Sequence, residues 1–362
     1  MRFVGLALGV ADAIAVVVKI LAGRVADRLR RKPLVIGGYL VATGGRALIA
    51  LASHPWHVLV ARSFDRVGKA LRSGARDAML AGAVESGDRG RAFGVAQAMD
   101  HVGAAVGPLV ASLCLWGGMS LAATFGVAAA MGLVAPVLLA VRLRESAAPV
   151  AASASAAPPG EVPPSAGSEP GWRRFAAYLA AVGLFALANS SDAFILIRAG
   201  ELGFSAATLP LLWLGHHLIK SVTVAVGGTL SDRLPRPWLI VGGWVAFGAA
   251  YWGFSLATRA WHMAALMAGY ALYHGLAEGP ERALVSDLVG APSRGTAFGL
   301  YHAVVGGAAL PAGLCLGWLW DRHGASVAFR VDAGLAFGAA ALLAALVVSG
   351  PLRRTAAFSH RA

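Results

Sequence analysis

Thiol chemistry is nearly absent from this chain. Its two cysteines, Cys114 and Cys315, both sit inside apolar runs. A lone thiol there behaves as a small packing residue, so neither a disulfide nor a cysteine metal pair is expected. Charge is scarce as well: Asp, Glu, Lys and Arg make 14% of the residues, against about 25% in an ordinary soluble domain. Acid is the scarcer sign, with 18 Asp and Glu against 31 Lys and Arg, for a formal net charge of +13. No stretch alternates apolar and polar residues over strand lengths, which excludes a membrane β-barrel. There is no phosphate-binding Gly-Lys loop, no His-Glu-x-x-His and no dinucleotide fingerprint. ATP-driven transport and intramembrane metalloproteolysis would therefore lack their working parts. The chain is expected not to be an enzyme, with no cofactor and no metal.

Apolar sequence is what the chain has in plenty. Hydrophobic residues make 57% of it, in runs of about 20, each long enough to cross a bilayer. Eleven spans are read, at roughly 3–22, 34–53, 56–80, 92–116, 119–142, 174–198, 207–228, 237–257, 260–285, 295–319 and 325–349. The connections on one side hold Arg24, Arg28, Arg30, Arg31, Lys32, Arg89, Arg91, Arg142, Arg144, Arg173, Arg174, Arg233, Arg236, Arg294, Arg353, Arg354 and Arg361, while the other side has only Arg2, Arg198, Arg259 and Arg322. The positive-inside rule makes the first side cytoplasmic, with the C-terminus inside and Met1 outside. It also accounts for the net charge without nucleic acid. The N-terminal run leads straight into a basic hairpin, which is not the pattern of a cleavable signal peptide.

Residues 143–172 are Ala, Pro, Ser and Gly with scattered Glu. Such a segment cannot bury a core and reads as a flexible cytoplasmic linker. It sets off an N-terminal helical bundle at 1–142 from a C-terminal bundle at 173–349, with a tail at 350–362.

The chain is organised around Gly23-Arg24-Val25-Ala26-Asp27-Arg28-Leu29-Arg30-Arg31-Lys32, and this hairpin is written twice. A shift of 205 residues lays Gly23 on Gly228, Asp27 on Asp232, Arg28 on Arg233 and Arg31 on Arg236. Half of the sixteen positions from Gly23 to Gly38 are identical. Loops normally drift, so a repeated charged loop points to function. The same shift lays Trp56-His57 on Trp261-His262, and Gly90 through Gly94 on Gly295 through Gly299.

These residues resemble the signature loop, G-x-L-x-D-R-x-G-R-R/K, between helices two and three of the major facilitator superfamily of secondary transporters. Gly23, Asp27, Arg28, Arg31 and Lys32 match it; Arg30 stands where the family usually has glycine. Gly228, Asp232, Arg233 and Arg236 resemble the weaker copy between helices eight and nine. The resemblance implies an all-α membrane protein with two pseudo-symmetric six-helix bundles, related as parallel repeats. Eleven of the twelve helices are found. The 174–198 helix has no partner 205 residues earlier. Either the frame opens at an internal Met, with about 30 residues before it, or this is an eleven-helix variant.

Charges inside the membrane are costly and face partners or cavities. Arg62, Arg66, Lys69, Arg72 and Arg76 share one helix face with Asp65 and Asp77 nearby. Arg62 resembles the family's fourth-helix arginine, which is associated with proton coupling; Asp65 stands where that motif has glutamine, and the bland reading is an Arg62–Asp65 structural pair. Asp12 lies mid-span, and Asp192 lies in the polar cluster Asn189-Ser190-Ser191-Asp192 with Arg198 as its bland partner. Asp100, nearer the cytoplasm, is a third carboxylate that could simply pair with Arg72 or Arg76. All are candidates for proton coupling or substrate contact, because a buried carboxylate is either paired or titrates. His216, His217 and Lys220 share one span, and His274, Glu278, Glu281 and Arg282 another; they read as hydrogen-bonding packers rather than metal ligands. Gly94, Gly103, Gly107 and Pro108 resemble the fifth-helix motif of the superfamily's antiporters, with generic close packing as the alternative. Asp27, and more weakly Asp232, are expected to act as conformational latches on helix ends or on Arg28.

The expected function is proton-coupled antiport of a small solute out of the cell by a monomer in the inner membrane, with substrate, protons and lipid as partners. An uptake symporter or facilitator, and a non-transporting sensor or remnant, are the alternatives.

Overall fold

A computed structural model describes residues 2–28, 30–142, 170–205, 208–349 and 351–352. Most of the expected linker and tail lie outside these residues. The described residues form helices α1 (Arg2–Arg28), α2 (Arg31–Ala50), α3 (Pro55–Ala83), α4 (Arg89–Trp116), α5 (Leu121–Arg142), α6 (Pro170–Ala188), α7 (Ala193–Glu201), α8 (Leu209–Leu230), α9 (Arg236–Leu256), α10 (Ala260–Leu288), α11 (Arg294–His323) and α12 (Ala325–Val348). No strand occurs among them. Among the described residues, eight stretches are long and apolar enough to cross a membrane, with α6 and α7 counted as one. Only helices close all their backbone hydrogen bonds within a segment, which is what hydrocarbon demands.

One expected span is two helices. The 174–198 run breaks between Ala188 and Ala193. The four residues there, Asn189-Ser190-Ser191-Asp192, offer side-chain oxygens that compete with the helical ladder. Ser191 Oγ accepts from the Ala193 N–H at 3.3 Å. Irregular backbone at such depth is tolerated where protein groups satisfy it.

The chain falls into two compact units. The first takes 1–83, 106–166 and 289–307; the second takes 84–105, 167–288 and 308–362. In the first, α2 packs on α3 and α5, and α1 on α3. Ala26, Val35 and Ala75 form a small buried centre with Leu34, Tyr39, Met79 and Leu139 around it. Small residues set the helix spacing: a Cβ at Gly68 would sit 2.5 Å from the Gly38 carbonyl oxygen and 2.6 Å from the Ala42 nitrogen. In the second unit, α10 packs on α8 and α9, and α12 on α9 and α6. Its centre is aromatic. Phe185 stacks on Trp244 with centroids 4.6 Å apart, and Phe247 on Tyr251 at 4.1 Å. The buried Trp244 Nε1 donates to Glu281 Oε1 at 2.8 Å, so this indole keeps a polar partner inside the core. Cys114 is half-buried and Cys315 is exposed; the latter is not the packing residue its apolar run suggests.

Gly68→Leu should separate α2 from α3 and cost about 1–3 kcal/mol or more, the usual price of overpacking a close contact. Thermal unfolding of the purified protein in detergent measures it; an unchanged midpoint would show that the two helices do not need this approach.

Candidate functional site

Two polar constructions stand out. The first is made twice. The leading N–H groups of a helix have no partner inside it and carry the positive end of its dipole. At the start of α11, Gly295 N–H donates to Asp27 Oδ1 at 2.6 Å and Thr296 N–H to Oδ2 at 2.7 Å. At the start of α4, Gly90 and Arg91 donate to the two oxygens of Asp232, both at 2.7 Å. Donors and acceptors correspond under the 205-residue shift. Glycine makes the approach: a Cβ at Gly23 would lie 2.5 Å from the Gly295 carbonyl oxygen, and one at Gly228 2.5 Å from that of Gly90.

The arginine four residues on completes each copy. Arg31 lies 3.9 Å from Asp27 and donates to the Ala78 carbonyl at 3.1 Å. Arg236 lies 2.9 Å from Asp232 and also pairs with Asp287, which accepts from Arg89 at 2.8 Å. Arg28 and Arg233 are exposed and do not complete the pair. Lys32 donates to the Ala140 carbonyl at 3.0 Å. Asp27 lies beyond the apolar run of α1. Burial pushes its carboxyl above the ordinary range, opposed by hydrogen bonds from Thr296 and Gly295 and by the Arg31 charge.

The second construction belongs to one unit alone and centres on Glu278 of α10. Its Oε2 takes His101 Nε2 at 2.8 Å; its Oε1 takes His274 Nδ1 at 2.9 Å and the Lys220 ammonium at 3.1 Å. Arg282 donates to the Glu278 carbonyl at 2.8 Å. Gln97 lies between them; with its oxygen turned to Arg282 it accepts at 3.1 Å. His216 and His217 join from α8, His216 stacked on Tyr270 and 5.7 Å from His274 between centroids. Asp192, at the α6–α7 break, accepts from the Tyr270 hydroxyl at 3.1 Å. Among the described residues no group of three ligands is arranged to hold a metal ion.

Comparison with known proteins agrees with this architecture. The family model for the Major Facilitator Superfamily matches residues 2–216. The chain belongs to the Major Facilitator Superfamily. An uncharacterised MFS-type transporter of Methanocaldococcus jannaschii is 27% identical over 325 residues, 88% of this chain and 79% of that protein. An uncharacterised protein of Mycobacterium tuberculosis is 30% identical over 328 residues, 88% of this chain and 78% of that protein. Among solved structures, the human organic anion transporter MFSD10 has a TM-score of 0.75 at 15% identity, covering 92% of this chain and 82% of that one. The fucose:proton symporter FucP of E. coli has a TM-score of 0.65 at 14% identity, covering 93% and 91%. These two show the fold alone.

As a member of the superfamily, the chain is a multi-pass membrane protein of a family of transporters for small molecules, not of enzymes. Its expected site residues scatter. Asp12 lies on α1, Arg62 on α3 and Pro108 on α4; their side chains lie outside the described residues. The described ion pair of Asp65 is with Arg46 of α2, at 3.8 Å and half exposed. Arg72 lays its guanidinium 4.1 Å from the centre of the Tyr39 ring. Asp100 is exposed on α4. Arg198 turns to Glu201 at 2.9 Å and to the Ala257 carbonyl, so it is not the partner of Asp192. Gly94 packs against Gly228, where a Cβ would lie 2.8 Å from the Gly228 Cα, while Gly103 and Gly107 have open space. His101 and Gln97 escaped the sequence reading. Both lie on α4, and nothing local ties either of them to a glutamate about 180 positions away.

Removing one partner of a buried pair leaves an uncompensated charge, at about 3–5 kcal/mol. Glu278→Gln should therefore lower the unfolding midpoint sharply, and Lys220→Met in the same chain should restore part of the loss. A double variant no better than Glu278→Gln alone would show that the two groups are not coupled.

Proposed function

We propose that the chain is a proton-coupled secondary transporter that exports a small solute by alternating access, working as a monomer in a bacterial-type inner membrane with its C-terminus in the cytoplasm. The observation that carries this is the Glu278 network: an anion, an ammonium and two imidazoles, all sparingly exposed, joined in one hydrogen-bonded set. Adding or removing one proton there changes which partners the carboxylate can hold. A buried set that must re-pair on protonation is a means of biasing two conformations. Asp192 lies within electrostatic reach of Lys220 and His217 and extends the set to the helix break.

The Asp27 and Asp232 contacts supply the conformational element. Each is made between segments far apart in sequence, and each rests on two charge-assisted bonds to amides that otherwise lack partners. Making and breaking these two contacts is what biases one state of the alternating-access cycle against the other. The export direction draws on relatives named Multidrug resistance protein MdtH, one of them from Yersinia enterocolitica at 33% identity over 112 residues, 31% of this chain and 28% of that protein. The glycine spacing on α4 points the same way.

Proteoliposomes holding a pH-sensitive dye, screened with a panel of solutes, test the reading. The expected result is solute-triggered proton movement that is lost in Glu278→Gln and weakened by about tenfold or more in Asp192→Asn. Solute movement without proton movement would instead indicate a facilitator.

A further inference from the structure

The two helix-start contacts are built alike and braced differently. Asp287 stands one residue before the end of α10. A helix C-terminus carries the negative end of the dipole, so a carboxylate there is out of place unless cations hold it. Two do. Asp287 Oδ1 accepts from Arg89 Nη1 at 2.8 Å, and Oδ2 pairs with Arg236 Nη1. Arg89 opens α4 and Arg236 opens α9, so one side chain joins the starts of two helices to the end of a third. Arg236 Nη2 also donates to Asp232 Oδ1 and to the Ser86 carbonyl, both at 2.9 Å. Asp232 holds the Gly90 and Arg91 amides, and Gly90 is the neighbour of Arg89. The result is a closed ring of charge-assisted bonds through Arg89, Asp287, Arg236 and Asp232.

The 205-residue shift relates Arg31 to Arg236, Arg89 to Arg294 and Gly82 to Asp287. Both arginines recur, and the carboxylate between them is replaced by glycine. Arg31 Nη1 donates to the Ala78 carbonyl at 3.1 Å and Arg294 Nη1 to that of Ala81 at 3.4 Å, both near the end of α3. The Arg31 guanidinium stands 3.9 Å from Asp27, beyond hydrogen-bond length, where Arg236 donates to Asp232 at 2.9 Å. Gly82 is exposed, and a Cβ built there would meet Arg31 Nη1 at 3.8 Å, an ordinary contact. The first unit thus has room beside its arginine for the carboxylate that the second unit carries. Withdrawing the start of α4 breaks the Arg89–Asp287 ion pair along with the two amide bonds. Withdrawing the start of α11 breaks a bond from Arg294 to a neutral carbonyl instead.

From this difference we infer that Asp287 is a positioning residue that makes the two contacts unequal, so that Asp27 releases the start of α11 before Asp232 releases the start of α4. Opening then runs in two steps, with the braced contact as the later one. The order is the reverse of the ranking by motif, since the fuller copy of the hairpin lies at Asp27. The inference rests on both contacts being parts of an alternating-access cycle, and it gives their sequence.

Amide exchange on the full chain in lipid nanodiscs, expressed as protection relative to the unfolded peptide, reads the order with no solute present. Gly295 and Thr296 should be about fivefold or more less protected than Gly90 and Arg91, the scale of one charge-assisted bond discounted for partial exposure. Asp287→Asn should lower protection at Gly90 and Arg91 by a similar factor and leave Gly295 and Thr296 unchanged. Gly82→Asp should raise protection at Gly295 and Thr296 and leave the other pair unchanged. This variant adds an interaction, so it reports even where Asp287→Asn loosens the second unit as a whole. Equal protection of the two helix starts, a loss in Asp287→Asn spread evenly over α8, α9 and α10, or no gain from Gly82→Asp would each overturn the inference. Solute movement into proteoliposomes separates the two readings. Unequal protection set by Asp287 with no solute crossing keeps the order and sinks the transporter. Solute crossing with equal protection keeps the transporter and sinks the order.

Discussion

A helix that begins against other helices must find partners for its first amides, and this requirement organises the molecule. α11 and α4 each meet it with a single carboxylate brought from about 140 to 270 positions away in sequence. The carboxylate can reach only because glycine faces glycine at the crossing, Gly23 against Gly295 and Gly299, Gly228 against Gly90 and Gly94. The contact is not a simple source of stability. Burial holds the proton on Asp27 above the ordinary carboxylate range. A group whose pKa is raised on folding stabilises the fold most below its ordinary pKa, and that contribution is lost as pH rises through the raised value. Ionising Asp27 therefore works against the fold, and the two amide bonds and Arg31 offset only part of that cost. A contact whose carboxylate resists ionisation at Asp27, and whose geometry recurs at Asp232 in the same register, is more easily understood as something meant to open than as a brace.

On this two-fold frame the chain has placed different chemistry. Asp77, 1% exposed, holds His302 Nε2 at 2.8 Å and Arg76 at 3.4 Å in the first unit. The positions 205 residues away are Arg282 and Gln97, which face each other in the second. A carboxylate and imidazole on one side thus answer to a guanidinium and amide on the other. Lys220 and Glu278 correspond to Ala15 and Ser73. The repeat supplies the backbone framework, and the Glu278 network occupies one copy of it.

The parts of this that were legible in the sequence are those with a period. Long apolar runs gave the helices, and the doubled Gly-Asp-Arg hairpin marked the two carboxylates before any partner was visible. The partners themselves, Gly295-Thr296 and Gly90-Arg91, appeared only as a repeated phrase. Hydropathy missed the break at Asn189–Asp192, because four polar residues barely dent a window of about 19. It also gave no hint that Glu278 would gather Lys220 and His101 from other helices; only His274, four residues earlier on α10, was within reach by spacing. Local spacing fixes which residues share a face, whereas it says nothing about which faces meet. Arg198 shows that spacing alone does not choose a partner: it bonds Glu201 and the Ala257 carbonyl rather than Asp192.

The most direct test of the account is amide hydrogen exchange on the peptides covering Gly295–Thr296 and Gly90–Arg91. These amides precede the helical ladder, so their protection has to come from Asp27 and Asp232. The account predicts slow exchange at rest, fast exchange at the first peptide in Asp27→Asn and at the second in Asp232→Asn, and faster exchange at both in wild type during solute turnover. Protection that persists in both variants, or that does not change during turnover, would contradict it.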